Sequence, residues 1–553
     1  MSPLQSDPSH SKCLPVSTTK EKRLMETDTS RGFISYTDDM RVRFQKTEEK
    51  KAIVRQMGGE ELIARQHEKG KLTARERLQL FFDQGAFVEH FTLVDSKNIV
   101  DSPTPADGVV TGYGEVDGRP VVAYATDATI FSGACGEAHM LKIVDMYRLA
   151  GDMGVPIIAF IDSAGARLQE AMPATPPFIR SFHYQCLYSG VIPQITVVCG
   201  LCAAGQAYGP VLADFTVFTR HTGKMWLAGP RAAAAVTHSN VAEYGGAEFH
   251  MRYSGSCDFI AEDDYDAIRI VKEILGFCPS SWRELAPLAQ STDDPERAEE
   301  DLLDLVPASP KHPLDMYKLI QLIVDDGVFL ETKKGFGQSV ITGFCRFAGQ
   351  PCGIIASNPA VLGGCLEPDS SDKFARFLIF CDCFNLPVIT LVDCPAFVVG
   401  SDWEKQGVIR HGTKLISAYA LATVPKIGVI IRKSYGGSTV VWGSKPNGAD
   451  FVYAWPTAEL SPMGPDAAVA IIYHREMQLL EKPEERQAFA AQKKQEYFEK
   501  NAEITQVASS MRWNMVDEII DPRHTRGAIV KALRLSRRKK VQVPERKRAN
   551  PPL

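Results

Sequence analysis

The chain lacks most of the signatures that assign a protein at a glance. No run of 18 or more apolar residues occurs in its 553 residues, so no membrane span is expected. The first forty residues have no apolar stretch of the kind a secretory signal needs. Charge of one sign is missing too: 62 basic against 67 acidic residues leave a net −5, and no basic field points to nucleic acid. Cysteine occurs thirteen times, scattered and odd in number, which fits buried thiols in a reducing compartment rather than a disulfide framework. Cytoplasm is therefore the expected location. Lys12, Lys20, Lys22 and Arg23 keep a mitochondrial matrix as the alternative, but Asp7, Glu21, Glu26 and Asp28 offset them. Cys199-Gly-Leu-Cys202 has no second pair at metal spacing, and structural zinc takes four ligands, so no metal is expected. No Ser-His-Asp order, nucleophile elbow, phosphate loop or dinucleotide fingerprint is found.

What the chain does contain is itself, twice. Val110-Thr111-Gly112 recurs as Ile341-Thr342-Gly343, at an offset of 231. At the same offset Gly118-Arg119-Pro120 meets Gly349-Gln350-Pro351, Gly133 meets Gly364, Lys142 meets Lys373, and Asp162 meets Asp393. Agreement in register over so long a stretch implies two copies of one α/β unit and a site built between them. Both copies should then share one strand order, with Asp162 over Asp393 and Gly205 over Gly436. Upstream, Phe82–Glu89 echoes Val324–Glu331 at an offset of 242. The fall from 242 to 231 means that the first copy carries eleven extra residues, around Asp95 to Pro105.

With 44% apolar residues, the length suits two large domains. In each copy short runs rich in Val and Ile, such as Val121–Tyr124 and Val155–Ile161, alternate with amphipathic helical stretches. Continuous apolar runs imply strands buried on both faces and mostly parallel pairing. The expected plan is a disordered leader 1–40, an N-terminal domain 41–290, a linker 291–313, a C-terminal domain 314–536 and a solvated basic tail 537–553. The linker lies in a stretch from 278 to 313 with six prolines and an acidic run, read as a semi-rigid spacer.

Glycine-rich turns after buried strands are the candidate chemistry. Asp162-Ser163-Ala164-Gly165-Ala166-Arg167 follows one apolar run, and Ser434-Tyr435-Gly436-Gly437-Ser438-Thr439 follows another. Each places backbone N–H groups at a helix start, where they can stabilise an oxyanion. Glycines can also serve only tight turns and close packing. Two such loops in a duplicated fold favour the catalytic reading, because a reaction with two oxyanion-like species needs two holes.

The motifs Gly70–Arg77 (GKLTARER), Pro105–Gly112 (PADGVVTG), Asp162–Glu170 (DSAGARLQE), Ile409–Leu415, Ala422–Lys426, Ala454–Glu459 and Asp517–Arg523 occur in that order. Over roughly residues 40 to 535 the chain resembles the carboxyltransferase (β) subunits of biotin-dependent acyl-CoA carboxylases, especially the propionyl-CoA carboxylase type. The resemblance implies two tandem crotonase-like ββα-superhelix domains, a hexameric homo-oligomer and a site between domains of different chains. It implies acyl-CoA on the N-terminal domain and carboxybiotin, supplied by a separate carrier, on the C-terminal one. It places the acyl oxyanion hole at the amides of Ala164 and Gly165 and the biotin-side hole at Gly437 and Ser438. Carboxybiotin would release CO₂, its nitrogen would take the α-proton, and the enolate would attack CO₂. Substrate-binding positions by the same resemblance are Gly133, Ala134, Ala396, Phe397 and Val440. Several of these drift from the family pattern. DSGGAR has Ala164, FGGS reads Phe131-Ser132-Gly133-Ala134, DVPGF reads Asp393-Cys394-Pro395-Ala396-Phe397, and GGAYD has Val440 at the acidic position. With no Ala-Met-Lys-Met motif and no room for an ATP-grasp domain, biotin and the biotin carboxylase must come on another (α) subunit. Two alternatives are a decarboxylase or transcarboxylase on the same fold and a non-catalytic paralogue acting as an assembly partner.

Overall fold

The computed structural model describes residues 36–229, 233, 243–309, 312–505 and 507–552. The chain divides into two units, Met1–Ile53 and Val54–Leu553. The described part of the first is the start of a helix, Tyr36–Arg55. Asp38 and Asp39 in its first turn complement the helix dipole, and Arg43 reaches back to Asp39 one turn earlier. Residues 36–40, expected as disordered leader, are thus helical. Residues 1–35 lie outside the described part, and the leader expectation for them with it.

The second unit contains two eight-stranded sheets of one topology. In the first, β1 (Val88–His90), β2 (Val109–Val116), β3 (Arg119–Thr126), β4 (Ile157–Ser163), β5 (Gln194–Ala203) and β6 (Phe215–Thr219) lie side by side. There β7 (Lys224–Trp226) pairs with the far end of β5, and β8 (Phe259–Ala261) closes the edge beyond β6. The second repeats this with β9 (Leu330–Thr332), β10 (Val340–Phe347), β11 (Gln350–Ser357), β12 (Val388–Cys394), β13 (Lys426–Tyr435) and β14 (Phe451–Ala454). There β15 (Glu459–Ser461) pairs with β13, and β16 (Glu518–Ile519) stands at the edge. In both, the first three strands are antiparallel and the rest parallel. The duplication read from the sequence is a duplication of fold. Between β5 and β13, however, the offset is 232 and not 231, because the second copy gains one residue before that strand. Gly205 therefore stands over Gly437 and not, as expected, over Gly436.

The agreement extends to irregularities. The β4–β5 register slips between Ile161 and Ser163, and the β12–β13 register slips between Val392 and Cys394, at the same offset. The Asp162 N–H donates to Thr126 Oγ1 at 2.6 Å, and the Asp393 N–H to Ser357 Oγ at 2.7 Å. Every residue of β4 and β12 is buried, as expected for parallel strands covered on both faces.

The halves share a core. Phe344 on β10 packs against Phe215 of β6 at 5.5 Å between ring centroids and against Phe277 at 5.4 Å, and Phe377 and Phe380 join the same cluster at 5.2 and 5.8 Å from it. Aromatic contacts of this kind add about 0.5–1.5 kcal/mol per pair beyond burial, so the halves fold onto each other rather than as beads. The described residues of the proline-rich stretch 278–313 are irregular apart from a turn at Glu300–Leu302, but they do not form a free spacer. The Ala289 N–H donates to the Gly349 carbonyl, the Glu299 N–H to the Arg523 carbonyl, and Arg526 to the Asp294 carbonyl. The segment is clasped along the C-terminal half. The basic tail is also partly tied: Lys539 Nζ donates to Asp450 Oδ2 at 2.7 Å and to the Val424 carbonyl at 2.8 Å.

Candidate active site

In both sheets the loops that carry the sequence motifs leave the carboxyl ends of parallel strands, where α/β folds place their ligands. After β3 the chain enters Phe131–Gly133, three consecutive residues in the left-handed region with φ of 49°, 54° and 70°. After β11 the offset partners Leu362, Gly363 and Gly364 repeat this at 50°, 63° and 82°. Such conformations cost about 1–3 kcal/mol each for residues with side chains, and they cluster where function requires them. Glycine at the third position is obligatory. A Cβ on Gly133 would stand 2.0 Å from the Asp162 carbonyl oxygen, and one on Gly364 would stand 2.6 Å from that of Asp393.

A short parallel bridge ties these turns to the loops after β4 and β12. The Cys135 N–H donates to the Gly165 carbonyl and the Arg167 N–H to the Cys135 carbonyl, at 2.8 and 2.9 Å. In the other half the Leu366 N–H donates to the Ala396 carbonyl and the Val398 N–H to the Leu366 carbonyl, again 231 residues on. Gly133, Ala134, Ala164 and Gly165 are therefore brought together in one cluster, and Ala396 sits in the matching one.

The two clusters differ in their spare donors. The Ala164 N–H is given to the Ser132 carbonyl at 3.0 Å, and the Gly165 N–H to Ser163 Oγ at 3.2 Å. The pair expected as the acyl-side hole is thus engaged within its own cluster. Ala166, whose N–H faces away from the bridge, has no acceptor among the described residues. The position of Ala164 is Pro395 in the second half, which has no N–H to give. There Gly437 and Ser438 head a one-turn helix, Ser438–Val441, directly after β13. Among the described residues no acceptor takes either N–H. The Phe397 ring lies against Gly437 so closely that a Cβ there would meet it at 2.8 Å. Val440 stands on the same turn with 42% of its surface exposed, so it is not a core residue. Among the described residues no hydrogen bond joins the two clusters.

The surroundings add charge that the sequence did not announce. Beside the N-terminal turns lies a cavity of about 440 Å³ walled by Arg65, Lys69, Lys71, Thr129, Ser132 and Asp162. Lys71 Nζ sits 2.5 Å from Asp162 Oδ2, and Arg65 Nη2 pairs with Glu61 Oε1 at 2.6 Å on the exposed side. Behind the turns Arg167 is enclosed with Asp107 and Glu170. Lys142 and Lys373, 231 apart, are both buried and donate to pairs of carbonyls, Ala106 and Val109 in one half, Lys333 and Phe336 in the other. Burial pushes their ammonium groups down, to about 7 and about 8. Lys71, Asp107 and Arg167 all stand in motifs legible in the sequence. Their enclosure is a tertiary property that spacing does not reveal.

The carboxyl transferase domain profile matches residues 65–551. The chain belongs to the carboxyl transferase domain family. It is a carboxyltransferase of the propionyl-CoA carboxylase type. Methylmalonyl-CoA decarboxylase subunit alpha of Veillonella parvula is 42% identical over 511 residues, spanning 91% of this chain and 98% of that protein. The propionyl-CoA carboxylase beta chain of Cereibacter sphaeroides is 41% identical over 515 residues, spanning 92% and 99%. A crystal structure of transcarboxylase 12S, a hexamer, holds methylmalonyl-coenzyme A and methylmalonic acid. It matches with a TM-score of 0.88 at 38% identity, over 93% of this chain and 98% of that one. This carboxyltransferase accordingly has the two-domain fold of that enzyme. Among its described residues no helix is long and apolar enough to cross a membrane.

Proposed function

We propose that the chain transfers a carboxyl group between biotin, borne by a separate chain, and the α-carbon of an acyl-CoA, through a thioester enolate. The observation that carries this reading is the paired set of strained turns at the carboxyl ends of two like sheets, one of them beside a basic cavity. Arg65 and Lys69 line that cavity with positive charge, which suits the phosphates of a coenzyme A, and Ser132 connects it to the N-terminal turns. The spare N–H groups of Gly437 and Ser438 suit the ureido oxygen of biotin. When bound, biotin supplies the carboxyl group and a nitrogen base. The chain's part is to orient the two substrates and exclude water, which fits the lack of a side-chain triad. The Ala166 N–H, rather than that of Ala164, is the open donor on the acyl side.

Exposed apolar side chains beside both clusters (Leu168 and Val399, each 86% exposed) support a second copy of the chain covering them, as in a hexamer. Reversal toward decarboxylation or transcarboxylation is favoured as a second reading by the Veillonella parvula relative, since the same enolate serves both directions. The test is to incubate purified chain with free biotin and methylmalonyl-CoA. Biotin-dependent loss of the substrate's carboxyl group is expected; a folded chain that shows none overturns the reading.

Val440 is proposed to line the acyl pocket, where the family pattern has an acid. A valine removes a charge that is costly to desolvate and adds apolar surface worth about 25 cal/mol per Å². Longer acyl chains should be favoured by ~1–3 kcal/mol per methylene. In the same assay run on malonyl-, methylmalonyl- and ethylmalonyl-CoA, Val440→Asp should move relative kcat/KM toward the two shorter substrates, the carboxylated forms of acetyl- and propionyl-CoA. An unchanged ranking in a well-folded variant refutes the specificity role.

A further inference from the structure

The charged cluster behind the N-terminal turns has no counterpart in the other half. The Arg167 side chain is completely enclosed, with Nη1 2.5 Å from Asp107 Oδ1 and 2.8 Å from Glu170 Oε1. Its Nη2 donates to the Ala134 carbonyl at 2.9 Å, and the Phe131 ring lies 5.2 Å from its Cζ. One guanidinium therefore touches three loops: the segment before β2, the left-handed turn after β3, and its own loop after β4.

Glu170 carries the connection further. Its Oε2 accepts the Glu137 N–H at 2.7 Å, at the head of the helix Glu137–Met153, where the N-cap is Gly136 and offers no side chain. A Cβ on Gly136 would stand 2.3 Å from Glu170 Oε1, so the glycine makes room for the carboxylate that does the capping. Asp107 holds the same helix by accepting the His139 N–H at 2.7 Å. Ser96 and Asn98, from the eleven-residue insert, donate to Glu170 at 2.7 and 3.3 Å.

At the 231 offset Asp107, Arg167 and Glu170 become Gln338, Val398 and Ser401. There the matching helix, Pro368–Cys383, caps itself: the Glu367 side chain accepts the Asp369 and Ser370 N–H groups at 2.6 and 2.8 Å. The fold builds the same turns without this fork, so the fork is not needed for the turns to form.

We propose that Arg167, with Asp107 and Glu170, is a positioning residue for the acyl-side reaction, locked by the 95–105 insert through Glu170. This rests on the acyl-CoA reading above. The Ala164 and Gly165 N–H groups are spent inside the cluster, so the acyl side depends on the placement of the few amides left, and small displacements of such donors are costly to rate. Five guanidinium donors in a fixed plane suit that task, and a lysine cannot reproduce it.

The experiment uses the intact chain in three forms: wild type, Arg167→Met/Asp107→Asn, and Glu170→Gln. The double variant removes one charge of each sign, so the net charge of the cluster is unchanged, and Glu170 keeps its bonds from the Glu137 N–H, Ser96 and Asn98. With free biotin and methylmalonyl-CoA, its kcat should fall about 100-fold while KM changes less than about threefold and the Tm stays near wild type. Glu170→Gln, which keeps the guanidinium and the shape of its partner, should show a smaller fall of the same kind. It also serves if the double variant fails to fold. Amide hydrogen exchange should rise about tenfold in 131–135 and 164–171 and stay unchanged in 362–366 and 395–398. A folded double variant with kcat within twofold of wild type overturns the proposal, and so does exchange that rises equally in both halves. If the wild-type chain transfers no carboxyl group, the acyl-CoA reading fails, and the exchange measurement still decides whether the fork holds these loops.

Discussion

His139 shows how one buried side chain can set a pH limit. Its Nδ1 lies 2.9 Å from the Asp107 carbonyl, which only accepts, so that nitrogen carries the proton and Nε2, without a partner, is bare. Burial and the nearby Arg167 charge push the imidazole down to about 3. An unfolded chain takes up a proton near 6.5 that the folded one refuses, so the contribution of this residue is complete above that pH and is lost as the pH falls toward 3. His139→Gln, which keeps a donor and cannot titrate, should lose less stability on acidification. Between pH 7.5 and 5 the gap between the two proteins should change by about 2 kcal/mol in urea unfolding. Parallel curves would show that the imidazole is not kept neutral. At this scale the sequence was least legible. Ala164 looked like a donor because a glycine-rich turn ends a strand, but Ser132 in a left-handed conformation brings its carbonyl to that N–H. The backbone angle of a residue 32 positions away decides the matter, and no local pattern encodes it.

Elements were more legible than their ties. The capping box Thr73–Glu76 opens the helix Ala74–Phe81, within a motif visible in the sequence. That helix is stapled to Asp264–Phe277, nearly 190 residues later, by Arg77 Nη2 at 2.9 Å from Asp264 Oδ2, both side chains buried. Arg77→Met should cost about 3–5 kcal/mol by leaving the carboxylate unpaired, and Arg77→Met/Asp264→Asn should recover most of it. Chemical unfolding of the three proteins checks this, and additive losses would contradict a shared staple. Apolar runs and their offset gave the strands in order, because a strand buried on both faces must be apolar along its length. The clasp made by 278–313 was not foreseen. Proline density excludes regular structure, yet irregular backbone still has N–H and carbonyl groups to satisfy, and here it satisfies several of them on the C-terminal half.

The whole molecule should be an assembly. Its two clusters stand at the ends of different sheets with large apolar side chains beside them, and the resemblance to hexameric transcarboxylase 12S extends over nearly the full chain. Light scattering is expected to give a stable oligomer whose dissociation abolishes transfer; an active monomer would exclude a site completed by a second copy. The paired turns have one more consequence. Gly133 and Gly364, Lys142 and Lys373, and Asp162 and Asp393 occupy twin settings in one polypeptide, so each half is a reference for the other. A substitution and its twin can be compared at equal concentration, history and solvent, and whatever differs between them belongs to chemistry that the two ancestral copies have since divided.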